Sequence, residues 1–115
     1  MKTINLEILK TLQGPYVGDL IDTFLESTRS QLRELEKAAE QGNFDDVHRI
    51  AHDIESGARV IGAERLADVC HTIDEDFTVG PIDPSKQSLL EGLKREFVIL
   101  RRVLEPTEMH LWGRQ

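Results

Sequence analysis

The chain has 115 residues, 39% of them hydrophobic, 30% charged and 5% aromatic, and carries 14 Lys and Arg against 21 Asp and Glu, a formal charge of −7. This length and apolar content suit one domain with one core and exclude wholesale disorder. The acidic balance speaks against general nucleic-acid binding, the single Cys excludes an internal disulfide or a Cys-pair zinc site, and no apolar run nears the ~20 residues of a membrane span. The opening Met1-Lys2-Thr3-Ile4-Asn5 leads into a polar–apolar alternation rather than a signal-peptide core. A cytoplasmic domain without membrane contact is expected.

In chain order, Ile4, Leu6, Ile8, Leu9 and Leu12 predict a short first helix with Thr3 as N-cap, interrupted by Gly14-Pro15. Val17, Leu20, Ile21, Phe24, Leu25, Thr28, Leu32, Leu35, Ala38 and Ala39 form one apolar stripe. It spans about six turns. Gln41-Gly42 stops it. Asn43 is then an N-cap, with Asp45 and Asp46 placed where negative charge suits the helix dipole. Phe44, Val47, Ala51, Ile54, Ala58 and Ile61 follow at intervals of three and four, a bundle seam ended by Gly62. Ala63, Leu66, Ala67, Cys70, Ile73 and Phe77 predict the next helix, and Gly80-Pro81-Ile82-Asp83-Pro84 a loop. Leu90, Leu93, Phe97, Leu100 and Leu104 predict the last helix, ended by Pro106, with a peripheral tail over 107–115. No segment alternates long enough for a strand. The predicted architecture is all-α: an antiparallel four-helix bundle with a short N-terminal helix, one domain over 1–106, its core closed within a monomer.

The chemistry-bearing residues are few. No Gly-rich phosphate loop, HExxH or nucleophile elbow occurs among the four histidines His48, His52, His71 and His110. His48 and His52 are four apart and share a helical face, a spacing that could hold a metal, but no third ligand is fixed by sequence. His52 follows the seam residue Ala51, so it points about 100° off the buried axis and faces mostly solvent. Its face continues one turn on with Glu55 and Ser56, and a further turn on with Arg59. An imidazole is nucleophilic at neutral pH, since its unperturbed pKa is about 6.5. Held on a rigid helix beside a small residue, it is open to a docked partner; on this pattern alone a bland exposed histidine serves equally well. Cys70 falls in a seam and reads as a small buried hydrophobe. Asp74-Glu75-Asp76 reads as a solvated face, and Trp112 lies in the patternless tail.

The stretch from Val47 to Cys70 resembles the signature of histidine-containing phosphotransfer (HPt) domains of bacterial two-component phosphorelays. That pattern is roughly Ala-His-x-Leu-Lys-Gly-Ser, then Gly-Ala and a Leu-x-x-x-Cys helix. Ala51-His52, Ile54, Gly62-Ala63, Leu66 and Cys70 match it, and Asp22-Thr23-Phe24-Leu25 looks like the preceding helix. The resemblance implies that His52 accepts and carries a phosphoryl group between receiver-domain aspartates. The partners implied are response-regulator receiver domains and a hybrid sensor histidine kinase. No cofactor of its own is implied, Mg²⁺ being supplied by the receiver, and no enzyme activity beyond carriage. His48, Arg49, Glu55, Ser56, Gly57 and Arg59 are the expected docking face. One departure stands out: the family usually carries Lys where this chain has Glu55, and Ser56-Gly57 replaces the commoner Gly-Ser. A carboxylate there should repel a phosphoryl dianion by about 1–4 kcal/mol, unless Arg59 or Arg49 offsets it. That departure keeps a second reading open, a degenerate module that binds a receiver or kinase without being phosphorylated.

Overall fold

The computed structural model describes residues 3–5, 17–77 and 83–111. It contains four helices: α1 (Val17–Glu40), α2 (Phe44–Val60), α3 (Glu64–Asp76) and α4 (Pro84–Leu111). Each packs on its sequence neighbour, and α1 closes the ring against α4. The predicted short first helix falls mostly on 6–16 and lies outside the described residues, as do Gly80-Pro81-Ile82 and Trp112.

The apolar stripes explain the packing. Ile21 and Leu35 of α1, Val47, Ile54 and Ala58 of α2, Leu66, Cys70 and Ile73 of α3, and Leu93, Leu100 and Leu104 of α4 are all buried in one core. Two tight links force neighbours antiparallel. At each, a glycine occupies the left-handed region, Gly42 at φ 72° and Gly62 at φ 79°. Asn43 N–H donates to Ala38 O (2.9 Å) and Gly42 N–H to Ala39 O (3.1 Å). The same pattern recurs at the next link, with Ala63 N–H to Ala58 O (2.8 Å) and Gly62 N–H to Arg59 O (3.2 Å). Both are Schellman stops, in which a residue without Cβ takes the turn and orphan carbonyls find donors. The next helix starts at once. Asn43 caps α2, its side chain accepting from Asp46 N–H at 3.3 Å. Ala63 has no such side chain, and instead Asn5 braces that link. The Asn5 backbone N–H donates to Gly62 O (2.7 Å), and its Nδ2 donates to Glu64 Oε1 (3.1 Å).

Charge fastens the remaining seams. Arg65 of α3 grips Glu96 of α4 with two parallel bonds of 3.0 Å, from Nε to Oε1 and from Nη2 to Oε2. Glu96 is a buried carboxylate, so this fork supplies the donors that burial would otherwise cost it. The same bonds hold the Arg65 guanidinium more firmly protonated than usual. Lys94 of α4 meets Glu36 of α1 at 2.6 Å, which likewise raises the ammonium's affinity for its proton. At the bundle end holding the α1–α2 link, Phe44 and Phe77 meet edge-on, centroids 5.8 Å apart, with Lys86 5.5 Å over the Phe44 ring.

Two boundaries differ from the sequence-based expectation. The helix predicted to end at Pro106 runs through it to Leu111. A proline costs one intrahelical bond and a steric clash with the preceding turn, and here the helical backbone continues past both. Pro84, expected in a loop, is the first residue of α4. Asp83 before it caps the helix, its Oδ1 accepting from Lys86 N–H at 2.8 Å. Proline suits a first helical position, where its missing N–H would have no partner anyway.

Candidate functional site

The outer face of α2 presents the site. Its buried residues are Val47, Ile50, Ala51, Ile54 and Ala58. At 100° per residue, His52 points about 150° from the centre of that buried arc. It is exposed, and its ring carries no hydrogen bond or ion pair to the described residues. Both ring nitrogens therefore stay open to an incoming group, on a helix fixed by a capped start and a Schellman stop. Arg49 and Ser56 are exposed beside it. The small Ser56 side chain leaves room for another surface to approach.

His48 is not the free neighbour that its spacing suggested. It is half-buried and reaches across to α3, where its Nδ1 lies 2.6 Å from Asp74 Oδ1. An ionised carboxylate only accepts, so the proton of this bond sits on Nδ1. Asp74, read from sequence as part of a solvated face, is thus a strut between α2 and α3. Among the described residues, no three ligand-type side chains are placed to hold a metal ion.

Glu55 is also engaged. Its side chain is only 14% exposed. Arg59, one turn on, donates to its Oε2 from Nη2 at 2.9 Å and from Nε at 3.1 Å. His71 of α3 brings Nδ1 to 3.6 Å from the same oxygen, and its Nε2 lies 3.7 Å from Glu75. The carboxylate facing the His52 side of α2 is therefore matched by a guanidinium. Arg49 lies 3.6 Å from Asp46 instead, both side chains exposed.

Gly57 turns away from this face toward α1. A Cβ at Gly57 would stand 3.2 Å from Phe24 Cε1 and 3.3 Å from Cδ1. The absent side chain lets the Phe24 ring lie directly on α2. Further along the same seam, Leu20 of α1 and Val60 of α2 are exposed apolar side chains, brought to one end of the bundle by the antiparallel register. Leu20 was read from sequence as part of the buried α1 stripe, and Val60, off the α2 seam, was not singled out.

Cys70 lies beneath the Glu55–Arg59 pair, fully buried. Burial first, and the Glu55 carboxylate second, push its thiol up to about 12, with Arg59 opposing. Only the thiolate reacts. The native chain should therefore resist a thiol-specific disulfide reagent at pH 8, and react promptly once unfolded in urea. Prompt reaction of the folded chain would contradict the burial.

The comparisons agree with this geometry. No curated protein sequence matches the chain. The Hpt domain family model matches residues 19–103. The crystal structure of histidine-containing phosphotransfer protein B (HptB) from Pseudomonas aeruginosa PAO1 superposes with a TM-score of 0.87 at 26% identity, covering 94% of this chain and 96% of that one. Hpt domains are phosphocarriers rather than catalytic enzymes, interact with receiver domains and generally need no cofactor. An exposed imidazole on a four-helix bundle, within a family match that spans most of the chain, leads to one conclusion: this chain belongs to the Hpt domain family of phosphotransfer proteins.

Proposed function

We propose that His52 is the phosphoryl acceptor, and that the chain carries the group between receiver-domain aspartates in a multistep two-component phosphorelay. The observation that supports this most is the His52 ring itself, exposed on α2 with no competing partner among the described residues. In the forward step the Nε2 lone pair attacks phosphorus of the receiver's aspartyl phosphate. The N–P bond forms as the P–O bond to the carboxylate breaks, and that electron pair stays on the aspartate. The reverse step returns the group to another receiver. Mg²⁺ belongs to the receiver and neutralises the phosphoryl oxygens there. This chain contributes a fixed nucleophile and a surface, in the cytoplasmic compartment where receivers and a hybrid kinase work.

Docking would use the face around His52: His48, Arg49, Glu55, Ser56 and Arg59, with Gly57 setting the α1–α2 spacing. The exposed Leu20 and Val60 offer the apolar contact that a transient interface needs at its centre. The Glu55–Arg59 pair supports the carrier over a non-phosphorylated module, because the carboxylate does not face the site uncompensated.

Ser56→Trp places a large ring one turn from His52. It should weaken binding to a competent receiver at least tenfold, by titration calorimetry, and slow transfer by a similar factor. Unchanged affinity and transfer would contradict this docking face.

A further inference from the structure

The reading that follows rests on His52 as the phosphoryl acceptor. A phosphoryl group on His52 brings negative charge to within about one helical turn of Glu55. Glu55 cannot answer by turning to water, because it is only 14% exposed and pinned between α2 and α3. A carboxylate so placed needs a cation. Beside the same oxygen lie the Arg59 guanidinium at 2.9 Å and, as a second N–H donor, the His71 ring at 3.6 Å.

We propose that phosphorylation of His52 drives a charge exchange at Glu55, in which Arg59 moves to the phosphoryl oxygens and His71 takes its place on the carboxylate. Three features carry this. Arg59 is 53% exposed and bonds one oxygen of Glu55 rather than forking over both, so releasing it breaks no two-oxygen clamp. Long side chains on a helix lean toward the N-terminal turn, which for Arg59 is the direction of Ser56 and His52. A guanidinium matches phosphoryl oxygens better than a single carboxylate oxygen. His71 is the replacement already in position. At 3.6 Å it stands just beyond hydrogen-bond range of Glu55, with Glu75 3.7 Å from its other nitrogen, and a shift of a few tenths of an ångström closes the bond. Asp74 is held by His48 and does not compete for His71. Arg49 lies 3.6 Å from Asp46 and pairs with no Glu55 oxygen among the described residues, so the exchange at that carboxylate involves Arg59. The exchange would transmit phosphorylation on α2 to the α2–α3 seam, tightening it at Glu55–His71.

The test separates charge from docking by reading equilibria rather than rates. The unaltered chain, Arg59→Ala, Arg59→Gln, Glu55→Gln and the double variant Arg59→Ala/Glu55→Gln are each equilibrated with a phosphorylated receiver. Arg59→Ala and Arg59→Gln should each lower the transfer equilibrium constant about tenfold, since the phosphoryl oxygens then lose their guanidinium partner. The double variant should return to within about threefold of the unaltered chain, because attraction and repulsion are removed together. Without any receiver, treatment with phosphoramidate should shift both the Arg59 Nε–H and the His71 ring resonances, and in Glu55→Gln the His71 shift should vanish. Label on the unaltered chain with an unchanged equilibrium for Arg59→Ala would overturn the exchange and leave the carrier reading intact. Static Arg59 and His71 resonances in the phosphorylated chain would overturn it equally. No label on the unaltered chain from any competent receiver would remove both.

Discussion

Replacing His52 with Ala should abolish phosphoryl uptake completely while leaving the bundle as stable as before. The side chain is exposed and bonds nothing among the described residues, so its loss removes no packing and strands no polar partner. Surface substitutions of this kind shift stability by about 0.5 kcal/mol or less, and alanine favours the helix interior slightly. Function stands differently, since the imidazole lone pair is the nucleophile that the proposed transfer requires. His48 is half-buried, held by Asp74 and turned to α3, and no other histidine lies on the outer face of α2. Thermal melts and phosphate labelling from a charged receiver measure the two effects side by side. A labelled His52→Ala chain would contradict the assignment, and a melt lowered by more than a few degrees would contradict the described surroundings of His52.

The largest expected loss of stability lies at the bundle end where α2 begins. Phe77 ends α3 and is fully buried, with its ring edge-on to Phe44. Lys86 stands over Phe44 in turn, so one aromatic anchor organises the start of α2, the end of α3 and the start of α4. Phe77→Ala removes the apolar area and leaves a cavity that three separate elements cannot easily collapse into. Such substitutions cost about 3–5 kcal/mol. Domains of this size are typically stable by about 5–15 kcal/mol. The variant should therefore lose at least about a fifth of its stability in urea unfolding, with an unchanged slope. A loss below about 1 kcal/mol would show that the Phe44–Phe77–Lys86 cluster does not bind the three helices together.

Much of this was legible in the residues because it is local. Intervals of three and four from Phe44 to Ile61 mark a single buried face whatever it packs against. Gly42 and Gly62 mark stops because few other residues take the left-handed turn that each Schellman motif needs. Asn43 behaves as a cap because its short amide reaches the N–H three residues on. The features missed depend on register between helices, which local spacing does not encode. His48 meets Asp74 and Glu55 meets His71 only after α2 and α3 are laid antiparallel around the Gly62 link. Phe24 finds Gly57 by the same means between α1 and α2. The Asp83-Pro84 start was available from sequence, as a capping side chain followed by proline, but Gly80 and Pro81 just before it made the whole stretch read as loop. Pro106 misled in the opposite sense: its penalty is local, and helical backbone runs on across it.

Glu55 shows how register changes the meaning of a residue. Against the family pattern it is a carboxylate where a lysine is usual, and it argues for a failed carrier. In the bundle it is the acceptor for Arg59 and the near neighbour of His71, so the local charge differs from that of the residue alone. Glu55→Lys would not simply restore the family arrangement. It would set a third cationic or titratable group beside Arg59 and His71, in a site only 14% exposed.

The central claim is that His52 carries a phosphoryl group, and the most direct measurement locates that group chemically. A receiver domain charged with labelled phosphate is mixed with the unaltered chain. The chain is then recovered, digested under alkaline conditions and mapped by mass spectrometry. The account predicts one acid-labile phosphate, on the peptide holding His52, which leaves the chain when an uncharged receiver is added. Phosphate on another residue, or a chain that binds the receiver and is never labelled, would contradict it.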